Sequence, residues 1–451
     1  MKNTDVRRLA FEILAQVEEG AFSDKALDVA LRQNPDLDDR DRRLLTELVY
    51  GVLRYRGRLD FVLSCFCRQT LSRVEPAVLQ LLRLGAYQLL QLDRIPPRAA
   101  VHETVELAKG LGMSRVTGFL NGILRALTRG IDTIPWPDPQ AAPLACLQQE
   151  FSLPEWLAER WLGDFGPAEA LALAEAMLEP APFTVRVNTL QTSREDFLVA
   201  LTEAGYQVAA THYAPEGVII SGGGARHLPG DQEGWYQVQD EGSMLIGRLL
   251  APQPEERLLD VCAAPGGKTT HLAALTDNRA DILALDIAAD RLALVHLGAR
   301  RLGCLGIASR TWDVTEPAEF LSAGSFDRVL VDAPCSGLGV LRRNPESRWR
   351  RTPEDLQVNS ERQSILLDRV APLVRPGGRL LYSVCTLTRE ETTLVAERFL
   401  SNHAEFQRED LRELMPSSWR DLFDEQGALR TLPHRHHGMD AFYAASFRRR
   451  D

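Results

Sequence analysis

Two cysteines stand at the ends of short apolar runs, in Val331-Asp332-Ala333-Pro334-Cys335-Ser336-Gly337 and in Tyr382-Ser383-Val384-Cys385-Thr386. A thiolate is the strong neutral-pH nucleophile of proteins, so two cysteines at strand ends point to chemistry at sulfur. The other five cysteines (65, 67, 146, 262 and 304) are scattered and complete an odd set of seven, which does not read as a disulfide framework. Cys146 and Cys304 read as small core hydrophobes. Cys65-Phe66-Cys67 lacks zinc spacing, and His434, His436 and His437 have no cysteine or carboxylate at ligand spacing, so no metal site is expected.

A second group lies upstream. Leu258-Leu259-Asp260-Val261 leads into Cys262-Ala263-Ala264-Pro265-Gly266-Gly267-Lys268, which reads as a strand, a tight glycine turn and a helix start. Such a turn lets the backbone approach a cofactor and aims helix amides at it. It is not a phosphate loop, because the glycine required five positions before Gly267 is replaced by Cys262. Asp286 closes the next strand, where a carboxylate accepts the hydroxyls of an adenosine ribose. Asp313 follows the third strand, within reach of an adenine amino group, and Asp332 ends the fourth beside the same edge. One strand-end aspartate can equally cap a helix. A series of them without a phosphate loop points to S-adenosylmethionine.

Immediately after the first cysteine motif, Arg342, Arg343, Arg348, Arg350 and Arg351 surround Trp349. Guanidinium groups and an indole can clamp phosphates and stack on an unpaired base, so this segment is expected to bind single-stranded RNA. Gln239-Asp240-Glu241 has helix-capping character.

The elements that must position these residues follow from periodicity. Apolar residues recur at helical spacing over 4–18 (after a possible Asn3/Thr4 cap), 43–56, 76–91, 101–111 and 116–127. Pro135, Pro137, Pro139 and Pro143 interrupt the pattern. Helical character resumes over 144–180, followed by short β-rich runs from Phe183 and a turn at Ser221-Gly222-Gly223-Gly224. From about 246, strands alternate with helices, the mark of a parallel α/β sheet. The strands expected are Leu258–Cys262, Ile282–Asp286, Ile307–Thr311, Val329–Asp332, Arg379–Val384 and Ala441–Phe447. The expected organisation is an all-α domain over 1–140, a helical linker with a small α+β module over 141–245, and a Rossmann-like α/β domain over 246–451.

The chain of 451 residues is 45% hydrophobic and 25% charged, an ordinary globular mix. No apolar run is long enough to cross a bilayer and no signal core follows Met1, so a cytoplasmic protein is expected. A net charge of −10 argues against nucleic-acid binding by bulk charge, although residues 1–140 are the less acidic part.

Taken in order and spacing, Asp-x-Cys-Ala-Ala-Pro-Gly-Gly-Lys, Asp-Ala-Pro-Cys-Ser-Gly and Tyr-Ser-x-Cys-Thr resemble the motifs of the RNA cytosine carbon-5 methyltransferases of the Nol1/Nop2/Sun family. Leu48-Val49-Tyr50-Gly51-Val52-Leu53-Arg54-Tyr55 resembles the NusB-like RNA-binding domain joined to the bacterial 16S ribosomal RNA members. Val384 departs from the pattern, which often has threonine before the second cysteine. The resemblance implies that Cys385 attacks carbon 6 of a cytosine and that Cys335 helps remove the carbon-5 proton and release the product. It also implies that Asp332 steadies the base near its ring nitrogen and amino group, a role for which an apolar pocket raising its pKa is expected. Lys268 would face the methionine carboxylate or the base. The substrate would be 16S ribosomal RNA in an unpaired or pre-assembly region, with no obligate protein partner. The competing readings are a non-catalytic ribosome-assembly factor and a cytosine methyltransferase acting on transfer RNA or DNA.

Overall fold

A computed structural model describes residues 5–221, 228–317 and 319–451, so the possible Asn3/Thr4 cap and the Gly222–Gly224 turn lie outside the described residues. The chain forms two compact units: Met1–Pro180 with Leu341–Arg350, and Ala181–Val340 with Arg351–Asp451.

The first unit is all α. Its helices are Val6–Glu18, Ser23–Gln33, Asp39–Arg54, Arg56–Phe66, Pro76–Gln91, Pro97–Gly110, Thr117–Gly130, Pro143–Gln149, Glu155–Phe165 and Pro167–Ala176. Caps begin several of them. Asp5 accepts from the amides of Arg7 and Arg8, Asp38 accepts from Asp41, and proline opens the helices at 76, 97, 143 and 167, where its missing N–H costs nothing. Ala10, Leu45, Leu48, Leu81, Leu120 and Leu124 meet in the core. Gly51 is glycine because a Cβ there would lie 2.0 Å from the Tyr87 ring. The helices at 143–176 belong to this unit, not with the connector they were grouped with on sequence.

Segment Leu341–Arg350 is built into the helical unit, which corrects the role expected of its arginines. Arg342 and Arg348 are buried. Arg348 donates to the carbonyls of Arg54 at 3.2 Å, Ser152 at 3.4 Å and Met177 at 3.3 Å. Trp349 Nε1 donates to Leu53 O at 3.2 Å, and Arg350 donates to Val17 O and Ala21 O, each at 2.5 Å. Arg54 in turn donates to Arg342 O, and Glu346 accepts from the amide and hydroxyl of Ser23. Guanidinium groups here donate to backbone carbonyls of the helical unit, so Arg348 and Arg350 are not a free RNA clamp. Arg343 is half-buried, and Arg351, in the second unit, donates to Ser336 O at 3.0 Å.

The second unit contains two sheets. The small one comprises β1 (Phe183–Val187), β2 (Gln207–Ala210), β3 (Gly217–Ser221) and β4 (Tyr236–Val238), antiparallel in the order β2-β3-β1-β4. Helix Arg194–Glu203 buries Phe197 and Leu201 against Val185, Val187 and Val218. The large sheet comprises β5 (Arg257–Val261), β6 (Asp281–Asp286), β7 (Ile307–Thr311), β8 (Phe326–Asp332), β9 (Val374–Val384), β10 (Phe406–Glu409), β11 (Leu429–Arg430) and β12 (Tyr443–Arg449). Its order is β10-β12-β9-β8-β5-β6-β7, with β11 also on β12. Strands β5 to β9 pair in parallel, whereas β10, β11 and β12 run antiparallel. β10 and β11 were not expected, being short and polar. The chain winds outward from β5 through β6 to β7, then returns to β8 on the other side of β5, and a crevice opens where that order reverses. No helix among the described residues is long and apolar enough to cross a membrane.

Replacing Arg348 with methionine leaves three backbone carbonyls without their Arg348 donor and should destabilise the protein by about 1–3 kcal/mol. Urea unfolding followed by helical circular dichroism measures it, and an unchanged midpoint would contradict the anchoring role.

Candidate active site

The turn Cys262–Lys268 leaves β5 at the crevice. Cys262 (φ +62°) and Gly266 (φ +101°) take the left-handed region. A Cβ on Gly266 would lie 2.9 Å from Val295 Cα, so glycine is required there. The turn runs into helix Gly267–Leu275, whose first amides face outward from the strand end. Asp286, buried at the end of β6, holds it: Oδ2 accepts from Ala264 N at 3.1 Å and Oδ1 from Ala288 N at 3.0 Å. Arg291 donates to Ala264 O at 2.8 Å. Beneath the turn, Thr269 donates to the fully buried Asp260 at 2.6 Å, and burial pushes the Asp260 carboxyl up to about 7. Asp313, half-buried after β7, accepts from the amide and hydroxyl of Thr315, which hold its carboxyl below the usual range.

Lys268 projects from the turn to Asp332 at the end of β8, with Nζ 2.7 Å from Oδ2 and 5.4 Å from the centre of the Phe442 ring. Ser383 donates to the other oxygen of Asp332 at 2.7 Å. Burial opposes the Lys268 charge, yet the Asp332 carboxylate outweighs it and raises the ammonium above its usual pKa. The apolar pocket expected around Asp332 is therefore replaced by an ion pair, the geometry of an ionised carboxylate.

The two sulfurs meet just beyond. Cys335 Sγ and Cys385 Sγ are 3.4 Å apart, both as free thiols. Contact with Cys385 and burial push the Cys335 thiol well above its ordinary range. Lys268, by contrast, is electrostatically coupled to Cys385. Burial raises Cys262 to about 12, which marks it as a packing thiol within the turn.

Residues of the turn, Asp286, Asp332, Cys335 and Cys385 thus share one sheet edge, with Asp313 following the neighbouring strand. Two contributors escaped the sequence reading. Fully buried Arg186 on β1 donates to Gly267 O at 2.5 Å, to Thr270 Oγ1 at 3.0 Å and to Gln239 Oε1, holding the helix start from below. Its signal was a lone charge inside the apolar run Phe183–Val187. Glu391, fully buried behind the thiols, carried no signal in Arg389-Glu390-Glu391. The capping character of Gln239-Asp240-Glu241 is realised, since Asp240 accepts from Gly242 N at 2.8 Å and starts helix Glu241–Leu250.

Comparison with known proteins agrees with this architecture along the whole chain. A family model for the 16S rRNA methyltransferase RsmB/F matches residues 247–448, one for the NusB family matches 4–129, and one for the RsmF/B-like ferredoxin-like domain matches 153–225. The probable ribosomal RNA small subunit methyltransferase B of Bacillus subtilis (strain 168) is 38% identical over 452 residues, covering 100% of both chains. The chain belongs to the RsmB/F family of 16S ribosomal RNA methyltransferases. The ribosomal RNA small subunit methyltransferase B of Escherichia coli O7:K1 (strain IAI39 / ExPEC) is 34% identical over 444 residues, 98% of each chain. The crystal structure of PH0851 superposes with a TM-score of 0.80 at 28% identity, covering 98% of each chain. The RsmB/F fold, with its NusB-like helices, ferredoxin-like connector and Rossmann-like sheet, is the one anticipated from the motifs.

The carboxyl buried beneath the RsmB/F turn gives a pH test. With Asp260 raised from 3.8 to about 7, its contribution to stability is complete below about pH 4 and is lost as pH rises through 7. Asp260→Asn removes that slope while keeping an acceptor for Thr269. The unfolding free energy of the variant relative to the parent should therefore increase between pH 5 and pH 8, and a constant difference would contradict the protonated state.

Proposed function

We propose that this chain transfers a methyl group from S-adenosylmethionine to carbon 5 of a cytidine in 16S ribosomal RNA, through a covalent bond between Cys385 and carbon 6. The observation that carries the reading is the 3.4 Å pairing of two strand-end thiols beside the Lys268–Asp332 ion pair. Family membership supports the substrate class, and the relatives' names, ribosomal RNA small subunit methyltransferase B, support a small-subunit rRNA.

The cofactor fits the residues present. A glycine turn that a Cβ would block, a helix start and carboxylates at the ends of β6 and beyond β7 suit an adenosyl group, which Cys262–Lys268, Asp286 and Asp313 would hold. When bound, it supplies an electrophilic methyl group.

The chain's own residues do the rest. The sulfur of Cys385 forms a bond to carbon 6 of the cytosine, and the electron pair of the 5,6 double bond moves to carbon 5. That carbon then becomes nucleophilic enough to accept a methyl group. Asp332, with Lys268, holds the exocyclic amino group and ring nitrogen as charge accumulates there. The carbon-5 proton then passes to water, the electron pair of that C–H bond restores the double bond as the carbon–sulfur bond breaks, and Cys335, touching Cys385, donates a hydrogen bond to the departing thiolate.

Incubation of the purified protein with labelled S-adenosylmethionine and unmodified 16S rRNA should place one label on a cytidine, and Cys385→Ala should abolish it while cofactor binding persists. Label in transfer RNA or DNA alone would contradict the substrate, and no label in any nucleic acid would favour an assembly factor. Cys335→Ala should accumulate a covalent protein–RNA adduct on a denaturing gel.

Asp286→Ala should weaken cofactor binding by about 1–3 kcal/mol, the range for hydrogen bonds to a charged group. Calorimetric titration of S-adenosylmethionine measures it, and an unchanged dissociation constant would remove Asp286 from the site.

A further inference from the structure

The proposed reaction leaves one buried charge unused. Glu391 is fully buried on the loop after β9, and its carboxylate gathers donors from both cysteine loops. Oε1 accepts from Ser336 N at 2.8 Å, the residue after Cys335, and from Gln363 Nε2 at 3.2 Å. Oε2 accepts from Thr388 Oγ1 at 3.0 Å and Thr386 Oγ1 at 3.4 Å, the latter next to Cys385. Gln363 also donates to Pro334 O at 2.9 Å, and the hydroxyls of Ser336 and Thr386 lie 2.8 Å apart, closing the two loops on each other. The hydroxyl of Tyr382 donates to Glu391 O at 2.6 Å and to Gln363 Oε1 at 3.0 Å.

Every named partner of this carboxylate is uncharged. A loop that needed only anchoring could use an amide here, which avoids the cost of burying a carboxylate without a cation. That charge acts on Cys335. Ionisable neighbours of Cys335 include Cys385, Glu391 and Tyr382, with the Arg351 guanidinium 3.0 Å from the carbonyl of the following Ser336, and both Cys385 and Glu391 oppose formation of a thiolate at Cys335. Cys385 instead has the Lys268 ammonium among its electrostatic neighbours. The pair thus sits between a negative charge on one side and a positive charge on the other.

We propose that Glu391 is a positioning residue that decides which sulfur carries the proton: its carboxylate locks the Pro334–Ser336 and Cys385–Thr388 loops together and keeps Cys335 a thiol that donates to the Cys385 thiolate. This rests on the assignment of Cys385 as nucleophile, and it adds how two touching cysteines acquire different roles.

Alkylation of the full-length protein by iodoacetamide at pH 7, with the modified cysteine read by peptide mass spectrometry, tests it without requiring turnover. In the parent protein Cys385 should react faster than Cys335, and equal or reversed rates would overturn the proposal whether or not any variant folds. Glu391→Gln should reduce that preference about tenfold, the equivalent of one pKa unit of relative proton affinity. It should lower kcat for methyl transfer while leaving KM for rRNA near that of the parent. Glu391→Asp, which restores the charge, should recover most of the preference. Thr388→Val, which removes one donor but keeps the charge, should leave it in place. An unchanged preference in Glu391→Gln, or an equal loss in Thr388→Val, would overturn the proposal. If the parent alkylates selectively yet methylates no RNA, it is the proposed function that fails and not the division of roles.

Discussion

Parallel pairing of β8 with β9, with Asp332 opposite Ser383, determines where both thiols lie. Cys335 lies three residues past the end of β8 and Cys385 directly after β9, so the register of one strand pair brings the sulfurs to 3.4 Å and aligns Asp332 with the Ser383 hydroxyl. A slip of one residue would turn Ser383 to the opposite face and break that hydrogen bond. The register is in turn held by apolar burial on both faces, with Val329, Val331 and Tyr382 on one side and Leu330 and Leu381 on the other, all fully buried.

Around this apolar frame the site depends on a few buried polar groups that each tie a loop to a neighbouring element. Asp286 holds the turn after β5, Arg186 holds the helix that follows it, and Glu391 holds the loops after β8 and β9. Buried polar groups are costly unless hydrogen-bonded, and here their partners are backbone, hydroxyl and amide groups of the segments they join. Loops at strand ends acquire in this way the rigidity that reactive groups need.

Much of this was legible in the sequence because the motifs sit at strand ends, where short apolar runs are followed by glycine, proline or aspartate. The spacing identified the turn at Cys262–Lys268, the strand-end carboxylates and both strand-end cysteines. What it could not provide was direction: whether a charged side chain faces water or a carbonyl depends on distant packing. The arginines around Trp349 read as an RNA clamp, yet Arg348 is enclosed by carbonyls from residues 54, 152 and 177. Asp332 was expected among apolar groups, but Lys268, 64 positions away, reaches it. Glu391 was invisible for the same reason, since its partners come from three separate segments. Strands β10 and β11 escaped because their residues are polar and pair only at the edge beside β12.

The central claim is that Cys385, and not its touching neighbour, bonds to the base. An RNA carrying 5-fluorocytidine at the modified position cannot lose hydrogen from carbon 5, so the enzyme should remain attached after methyl transfer. Digestion and mass spectrometry of that adduct should find the nucleotide on the peptide containing Cys385. A nucleotide on the Cys335 peptide would contradict the account.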